Sequence, residues 1–336
     1  MPHLLRSTLL LLAALELIGC AQTTVSVPRT RPAEVNLAGY RRIGVGAIYG
    51  PDGRVLTDEL STALVQTGRF DVLERRKLDA IIAEQNLGAT GRFDDESVAS
   101  IGHLVGTAAL IIGEVTTATY RENVETRNAT CVRQQDNKAE EYPCIEYIRR
   151  ASADLSVNLK VVDTESGLVL AAKTVGGQRT NQKSAKENEP LPFNAKARWL
   201  AACRTEAVKT FMRVIAPYQE NVRVTLKDDS DFPNLERGNN FAKIGNWADA
   251  RRAYSTAQQN AANTPDVDDD VKAKILYNLG IAAGYAGDYD QGLRMLGQSY
   301  ALDPDPGTEA QIRTLKQFKS DDARLEQQRR DAVEGS

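Results

Sequence analysis

The feature that most constrains the fold of this chain is an internal repeat in its last third. In the first copy, small and aromatic residues occur at Gly238, Phe241, Gly245, Asn246, Trp247, Ala250, Tyr254 and Ala257. The second copy contains Leu276, Leu279, Gly280, Gly287, Asp288, Tyr289, Leu296, Leu302 and Pro304, and the two copies match each other at fixed offsets. An acidic insertion at 265–270 separates the copies. The spacing is helical, and a single unit of this kind cannot bury its apolar face alone. The sequence therefore predicts stacked helical hairpins.

The spacing within each copy resembles the tetratricopeptide repeat, over residues 231–306. The resemblance implies a helical surface that binds a peptide or a helix of a protein partner. The residues expected to pack between its helices are Gly238, Trp247, Ala250, Tyr254, Leu279, Gly280, Tyr289 and Pro304. Two repeats are fewer than the three usually needed. We therefore expect either that a C-terminal helix and tail at 307–336 cap the stack, or that the stack borrows contacts from the preceding domain.

Residues 1–19 have the pattern of a signal peptide, with a positive charge at Arg6 and an apolar core at 9–15 that is too short to span a bilayer. The ending Leu17-Ile18-Gly19-Cys20 resembles the lipobox of bacterial lipoproteins. This resemblance implies cleavage before Cys20 and acylation of its thiol and its new amino group, for example by palmitate, which anchors the chain to a membrane. An ordinary signal peptide followed by an incidental cysteine is the alternative.

The residues after the lipobox suggest which membrane holds the anchor and how the fold is attached to it. Ala21 is not the aspartate that commonly retains lipoproteins at the inner membrane, so the resemblance implies the periplasmic face of the outer membrane. Residues 20–39 are mostly polar and include Pro28 and Pro32. This composition predicts a lipidated flexible tether.

From residue 40 to residue 218, strand and helix patterns alternate. Strands are predicted at 42–48, 70–73, 108–119, 153–161 and 168–175. Helices are predicted at 57–66, 77–85, 97–105 and 195–215. The charged stretch at 121–150 is expected to be irregular, and the polar stretch at 176–194 is expected to be flexible. The pattern predicts an α/β sandwich with a mixed sheet, followed after residue 218 by an entirely helical region.

The cysteines after the signal peptide have three different expected roles. Cys20 is the lipidation site. Cys131 and Cys144 lie in one polar stretch and are expected to form a disulfide in an oxidising periplasm; metal binding is the alternative, but no cluster at ligand spacing surrounds them. Cys203 shares a helical face with Trp199, Ala207, Phe211 and Val214, and is expected to be a small buried hydrophobe.

A second resemblance is carried by residues at Gly68-Arg69-Phe70-Asp71-Val72-Leu73-Glu74-Arg75, Leu78, Glu84-Gln85, Gly91, Ile101-Gly102 and Gly106-Thr107-Ala108, and by the hairpin Val161-Val162-Asp163-Thr164-Glu165-Ser166-Gly167. Together they resemble the curli production and secretion lipoprotein family (CsgG-like) over residues 40–216. The resemblance implies an outer-membrane lipoprotein that assembles into rings on the periplasmic side. The best-known members of that family form export pores.

Charge and composition exclude several classes of function. The net charge of −3 gives no electrostatic attraction to nucleic acid or to anionic lipid. His103 is the only histidine outside the signal peptide, so no histidine pair exists for zinc, and Gly44 and Gly46 lack the spacing of a nucleotide-binding loop. The acidic residues at 266–270 are expected to form a solvated loop rather than a calcium site. We expect no enzyme activity, no metal and no cofactor.

The sequence therefore predicts a lipid-anchored periplasmic scaffold at the outer membrane, which oligomerises through its CsgG-like domain and recruits a partner of a secretion or envelope machine through its repeats. A non-ring adaptor or regulator of a cell-envelope enzyme is the main alternative. An export pore is a further alternative, but the polar insertions at 121–150 and 176–194 lack the alternation of apolar residues that membrane strands need.

Overall fold

The computed structural model describes residues 23–73, 108–135 and 138–334. Within these ranges the chain divides into a helical unit of residues 23–31 and 219–324 and a sheet unit of residues 32–218 and 325–334. Cys20, the predicted helices at 77–85 and 97–105, and His103 lie outside the described residues. No helix in the described ranges is both long enough and apolar enough to cross a membrane.

The sheet unit is built on five strands, β2 (Arg42–Tyr49), β3 (Asp71–Leu73), β4 (Ala109–Gln135), β5 (Lys138–Asp163) and β6 (Val169–Lys186). Their order across the sheet is β3-β2-β4-β5-β6. Strand β2 pairs in parallel with β3 and β4, whereas β5 runs antiparallel to both β4 and β6. The predicted mixed sheet is confirmed.

Two helices of the sheet unit, α1 (Gly53–Thr67) and α2 (Lys196–Ile215), pack on the sheet and enclose its apolar core. Helix α1 ends at Gly68, whose φ of 61° lies in the left-handed region that glycine adopts without strain. Helix α2 buries Cys203 together with the other residues of the predicted face, Trp199, Ala207, Phe211 and Val214. The amphipathic patterns of both helices therefore mark the sides that face the core.

Strands β4 and β5 are much longer than the sequence pattern indicates, at 27 and 26 residues. The expectation of an irregular segment at 121–150 is wrong for its described residues, because 121–135 continue β4 and 138–150 lie in β5. The expectation of a flexible segment at 176–194 is wrong for 176–186, which continue β6. Opposite charges face each other across the ladder, with Arg127 opposite Glu146 and Arg133 opposite Glu140. Backbone pairing and these cross-strand pairs stabilise the polar hairpin without an alternating apolar face.

Strand β1 (Thr23–Arg31) pairs with β7 (Tyr218–Leu226) in a separate two-stranded sheet. The flexible tether predicted at 20–39 is therefore replaced by a strand from residue 23. The region after residue 218 is likewise not entirely helical. Each segment alone is short and mostly polar, and its partner is distant in the sequence, so neither prediction could include the pairing.

The helical unit contains α3 (Pro233–Lys243), α4 (Trp247–Asn263), α5 (Asp269–Tyr285) and α6 (Tyr289–Leu302), and then α7 (Pro306–Glu334). Glycines with positive φ form the turns within each hairpin, Gly245 at 75° and Gly287 at 96°. The residue after each of these glycines caps the next helix through its side chain. Residues of α7 up to 324 belong to the helical unit, and those from 325 onward to the sheet unit.

Candidate functional site

Two glycines predicted to pack between helices are placed where no side chain fits. The ring of the fully buried Tyr254 lies against Gly238, and a Cβ added there would come within 2.2 Å of the ring. A Cβ added at Gly280 would meet Leu296 Cγ at 2.8 Å and the carbonyl oxygen of Gly292 at 2.9 Å. Gly238 therefore lets the Tyr254 ring of α4 lie directly on α3, and Gly280 lets the backbones of α5 and α6 approach each other.

The other predicted packing residues are buried, with one exception. Ala250 and Leu279 lie in the apolar core of the helical unit, where Trp247 also packs against Tyr285 with ring centroids 5.1 Å apart. Pro304 differs from the prediction, because it is exposed in the loop between α6 and α7. Its fixed φ suits the end of a helix, and its side chain adds no buried contact.

A polar chain connects the buried Tyr254 to the end of strand β7. The Tyr254 hydroxyl donates to Asn239 Oδ1 at 2.6 Å, and Asn239 Nδ2 donates to the carbonyl oxygen of Lys227 at 3.2 Å. Asn278 of α5 donates to the same carbonyl at 2.8 Å and accepts from the Lys227 N–H at 3.0 Å. Asparagines on α3 and α5 therefore satisfy the backbone at the point where β7 ends.

The β1–β7 pair contacts the alternate helices α3, α5 and α7, and also Tyr289 at the start of α6. From α5, the Tyr277 hydroxyl donates to the carbonyl oxygen of Thr225 in β7 at 2.8 Å. From α7, Asp322 accepts from Arg29 of β1 at 2.9 Å. In helical repeats, one face of this kind is the usual binding surface for extended ligands. Here a strand of the chain itself occupies that face.

Arg29 is held by charge, hydrogen bonds and aromatic rings. Its Nη2 donates to the Tyr289 hydroxyl at 2.7 Å and to Asp322 Oδ1 at 2.9 Å. Its guanidinium carbon lies 4.5 Å from the centroid of the Phe318 ring. Tyr289 in turn donates to Asp322. Tyr289, which the sequence predicts as a packing residue, therefore also binds the Arg29 side chain.

Arg31, two residues later on the same side of the strand, is held in the same way. Its Nε donates to Glu220 Oε1 of β7 at 2.6 Å, and its Nη1 donates to the nearly buried Asp321. Its guanidinium carbon lies 5.0 Å from the centroid of the Phe318 ring. Such charge-assisted bonds, formed away from bulk water, are stronger than neutral ones.

We call the surface on which β1 lies the β1 groove. It consists of the edge of β7 that pairs with β1 and of five side chains that contact Arg29 or Arg31: Glu220, Tyr289, Phe318, Asp321 and Asp322. Tyr285 lies at its base, edge-on to Phe318 with centroids 5.6 Å apart. Burial raises the pKa of Tyr285 to about 12. Sequence reasoning missed Arg29 and Arg31, and their only signal was an Arg-Thr-Arg alternation inside an apparent linker.

The predicted cysteine pair lies near the end of the β4–β5 hairpin. Cys131 and Cys144 form a disulfide in the structure, with Cα atoms 5.7 Å apart. They are diagonal neighbours across the ladder, since Cys131 is opposite Tyr142 and Cys144 is opposite Ala129. The bond therefore joins two long polar strands far from the apolar core.

A second polar cluster connects the long strands to the segment before α2. Glu122 accepts from the Tyr120 hydroxyl at 2.6 Å, from the Phe193 N–H at 3.0 Å and from Arg149 at 3.1 Å. The hydrogen bond from Tyr120, followed by that from Phe193, lowers the pKa of the Glu122 carboxyl. Arg149 also donates to the carbonyl oxygen of Pro190 at 2.7 Å. These bonds hold residues 190–193 against the sheet.

Among the described residues, no group of three or more histidine, cysteine or acidic side chains is arranged to hold a metal ion. In the acidic insertion, Asp269 pairs with Lys272 at 3.0 Å and Asp270 with Lys274 at 3.1 Å.

Asp163, at the turn between β5 and β6, is expected to make stability depend on pH. Burial opposes its ionisation, but the Tyr40 hydroxyl at 2.5 Å and the N–H groups of Glu165 and Ser166 outweigh burial and lower the pKa of Asp163. Its stabilisation is then complete above the ordinary pKa of about 3.9 and is lost as pH falls through the lower folded value.

We expect Asp163→Asn to lower the free energy of unfolding at pH 7 and to flatten its decline between about pH 5 and pH 2. Urea titrations across that range measure both effects. Glu165→Gln is the control, because it removes a carboxylate from the same turn and leaves Asp163 in place. An unchanged acid dependence in Asp163→Asn would contradict the prediction.

Comparison with known proteins adds two matches to this geometry. Residues 22–189 match the family model described as curli production assembly/transport component CsgG, and residues 233–305 match a tetratricopeptide repeat model. These matches confirm both resemblances, and the observed mixed sheet followed by helical hairpins confirms the predicted fold class. A search of curated proteins found no match.

Among solved structures, the crystal structure of lipoprotein GNA1162 from Neisseria meningitidis is similar at 12% sequence identity, with a TM-score of 0.25. The similarity covers 48% of this chain and 93% of that chain. A likeness of this extent carries no argument about function.

Proposed function

Because this chain belongs to the family of the curli production assembly/transport component CsgG, we propose that it is a lipid-anchored scaffold on the periplasmic face of the outer membrane. In this role the sheet unit forms a homo-oligomer, and the helical unit recruits a protein partner of a secretion or envelope machine. The proposed role is non-catalytic and uses no cofactor.

The lipobox ending at Cys20 supports the anchor, and it predicts how the protein fractionates. We expect Cys20→Ser to move the protein from the membrane fraction to the soluble periplasm, because the acyl chains that hold it are lost. Ala21→Ser, which keeps the acceptor thiol, should stay with the membrane. Mass spectrometry of the amino-terminal peptide provides the direct measurement. An unmodified amino terminus on the wild-type protein would refute the anchor.

The position of β6 is the observation that carries the proposal of a homo-oligomer. This 18-residue strand forms one edge of the five-stranded sheet. The Gln182 N–H donates to the side chain of Asn181 at 2.7 Å, so it points away from β5. Alternate residues of a strand direct their backbone groups to the same side, and Thr180 therefore also presents its N–H at the edge. A long edge strand is a template for pairing with another chain.

We expect Thr180→Pro to convert an oligomer of this protein to monomer, because proline removes an edge N–H while the β5 side of the ladder keeps its bonds. Thr180→Val keeps the N–H at the same position and should keep the oligomer. The measurement is size-exclusion chromatography with light scattering on the signal-free chain carrying Cys20→Ser.

The same experiment separates the scaffold from the adaptor. A wild-type chain that stays monomeric at high concentration, with crosslinking in cells to a single different protein, would favour the non-ring adaptor or regulator. An oligomer that is insensitive to Thr180→Pro would place the contact between copies away from this edge.

A further inference from the structure

We propose that β1 is a displaceable occupant of the β1 groove, and that the groove also binds an extended partner strand carrying two arginines two residues apart. This inference deepens the proposed recruitment by the helical unit and rests on it. It specifies the surface and the chemistry of the partner segment.

Few apolar contacts hold β1 in place. Of its nine residues only Val25 is buried. The β1–β7 pair forms a two-stranded sheet, which is marginally stable unless it packs on other elements. Elements with little buried apolar surface open at a lower free energy than the core around them. Release of β1 therefore costs the burial of Val25, the packing of the half-buried Val27 and the cover over the Phe318 ring.

The surface that β1 leaves is acidic and aromatic. Glu220, Asp321 and Asp322 face the two guanidinium groups of β1, so three carboxylates remain when those groups depart. The ring of Phe318 offers a face for a cation at the same place. Carboxylate pairs and aromatic faces favour arginine over other side chains. The uncovered edge of β7 supplies backbone pairing to any extended chain.

The resident strand also leaves hydrogen-bonding capacity unused. Arg29 Nε and the Tyr285 hydroxyl are buried and make no hydrogen bond to another described residue. A buried polar group without a partner weakens the arrangement that contains it. The contacts of β1 in the groove are therefore not optimal, and a competing strand with two arginines can bind as well as β1 does.

Displacement would also change the reach of the anchor. Strand β1 begins three residues after Cys20, a span of about 10 Å when extended. With β1 released, the chain from Cys20 to Pro32 could span about 40 Å at 3.3–3.6 Å per residue. Partner binding in the groove and the reach of the segment between Cys20 and Pro32 are thus coupled.

The test uses the full signal-free chain with Cys20→Ser and a fluorescent peptide of sequence Thr23–Arg31. Because the attached strand competes at high effective concentration, the wild-type chain should bind the peptide weakly. Replacing both Arg29 and Arg31 of the chain by serine weakens the resident strand and leaves the groove intact. We expect at least tenfold tighter peptide binding to that variant, and a weakening of the binding by salt. A peptide with both arginines replaced by serine should not bind.

A disulfide across the strand pair supplies the opposite variant. The hydroxyls of Thr24 and Thr225 are 3.4 Å apart, so cysteines at both positions can bond β1 to β7. We expect the oxidised Thr24→Cys/Thr225→Cys chain to lose peptide binding and to regain it on reduction. Hydrogen exchange gives a second readout that needs no peptide: β1 amides should exchange faster than those of α5 in the wild type, and should be protected in the oxidised variant.

Two results would overturn the inference. One is equal binding of the peptide to oxidised and reduced chains, which would place its site elsewhere. The other is no binding to the double-serine variant at millimolar peptide. If a partner that requires the helical unit crosslinks equally to both redox states in cells, recruitment stands and strand displacement fails.

Discussion

Gly238→Ala is expected to destabilise the helical unit by about 1–3 kcal/mol. The added methyl would enter the space of the Tyr254 ring, at 2.2–2.7 Å from three of its atoms. Because Tyr254 is fully buried and donates to Asn239, the ring cannot move without loss of that bond. Overpacking costs about 1–3 kcal/mol and a lost buried hydrogen bond about 1 kcal/mol or more, against about 1 kcal/mol gained from helix propensity.

Gly297→Ala is the matched control, because it makes the same change inside α6 where nothing lies within 4 Å of the added Cβ. There the propensity gain acts alone, and stability should rise by up to about 1 kcal/mol. The two variants therefore differ in sign. Trp247 lies in the helical unit and Trp199 in the sheet unit, so fluorescence of a Trp199→Phe background follows the helical unit. Equal effects of both variants would contradict the packing described for Gly238.

Leu64→Ala is expected to destabilise the sheet unit by about 2–5 kcal/mol, because it leaves a cavity in a close-packed core. Leu64 is fully buried in the core between the sheet, α1 and α2. The loss is smaller if α1 and α2 close around the missing atoms, and larger if the cavity stays open.

The next residue on the same helix supplies the control. Val65 is 62% exposed, and Val65→Ala should change the free energy of unfolding by no more than about 0.5 kcal/mol. Guanidinium titrations followed by Trp199 fluorescence, in a Trp247→Phe background, compare the two. A large loss from Val65→Ala would show that the exposed side of α1 is covered by something the structure does not describe.

The lengths of β4 and β5 show where the alternation of apolar residues no longer predicts a strand. Apolar alternation marks these strands only where they cover the core, and there the prediction is confirmed. Beyond it, stability comes from backbone pairing and from charges such as Arg127 and Glu146, which are equidistant from the hairpin turn. That symmetry of charge about the turn was visible in the sequence and would have identified the longer hairpin.

The β1 groove shows a second limit of prediction from the sequence. Tyr289, Gly238 and Tyr254 follow from repeat spacing, because helix packing imposes the same residue types in each copy. The hydrogen bond between Tyr289 and Arg29 does not follow from repeat spacing, because the two residues are 260 positions apart. No local rule connects them.

Periodicity, glycine and aromatic spacing were enough to establish a mixed-sheet domain followed by helical hairpins, because each of these signals reflects a repeat of the backbone over a few residues. The position of β1 on β7, and with it the filling of the repeat surface by the chain itself, was decided in three dimensions. Thr24 meets Thr225 across 201 positions. A short polar strand gains its stability from the partner it reaches, and that partner is defined only once the rest of the chain has folded.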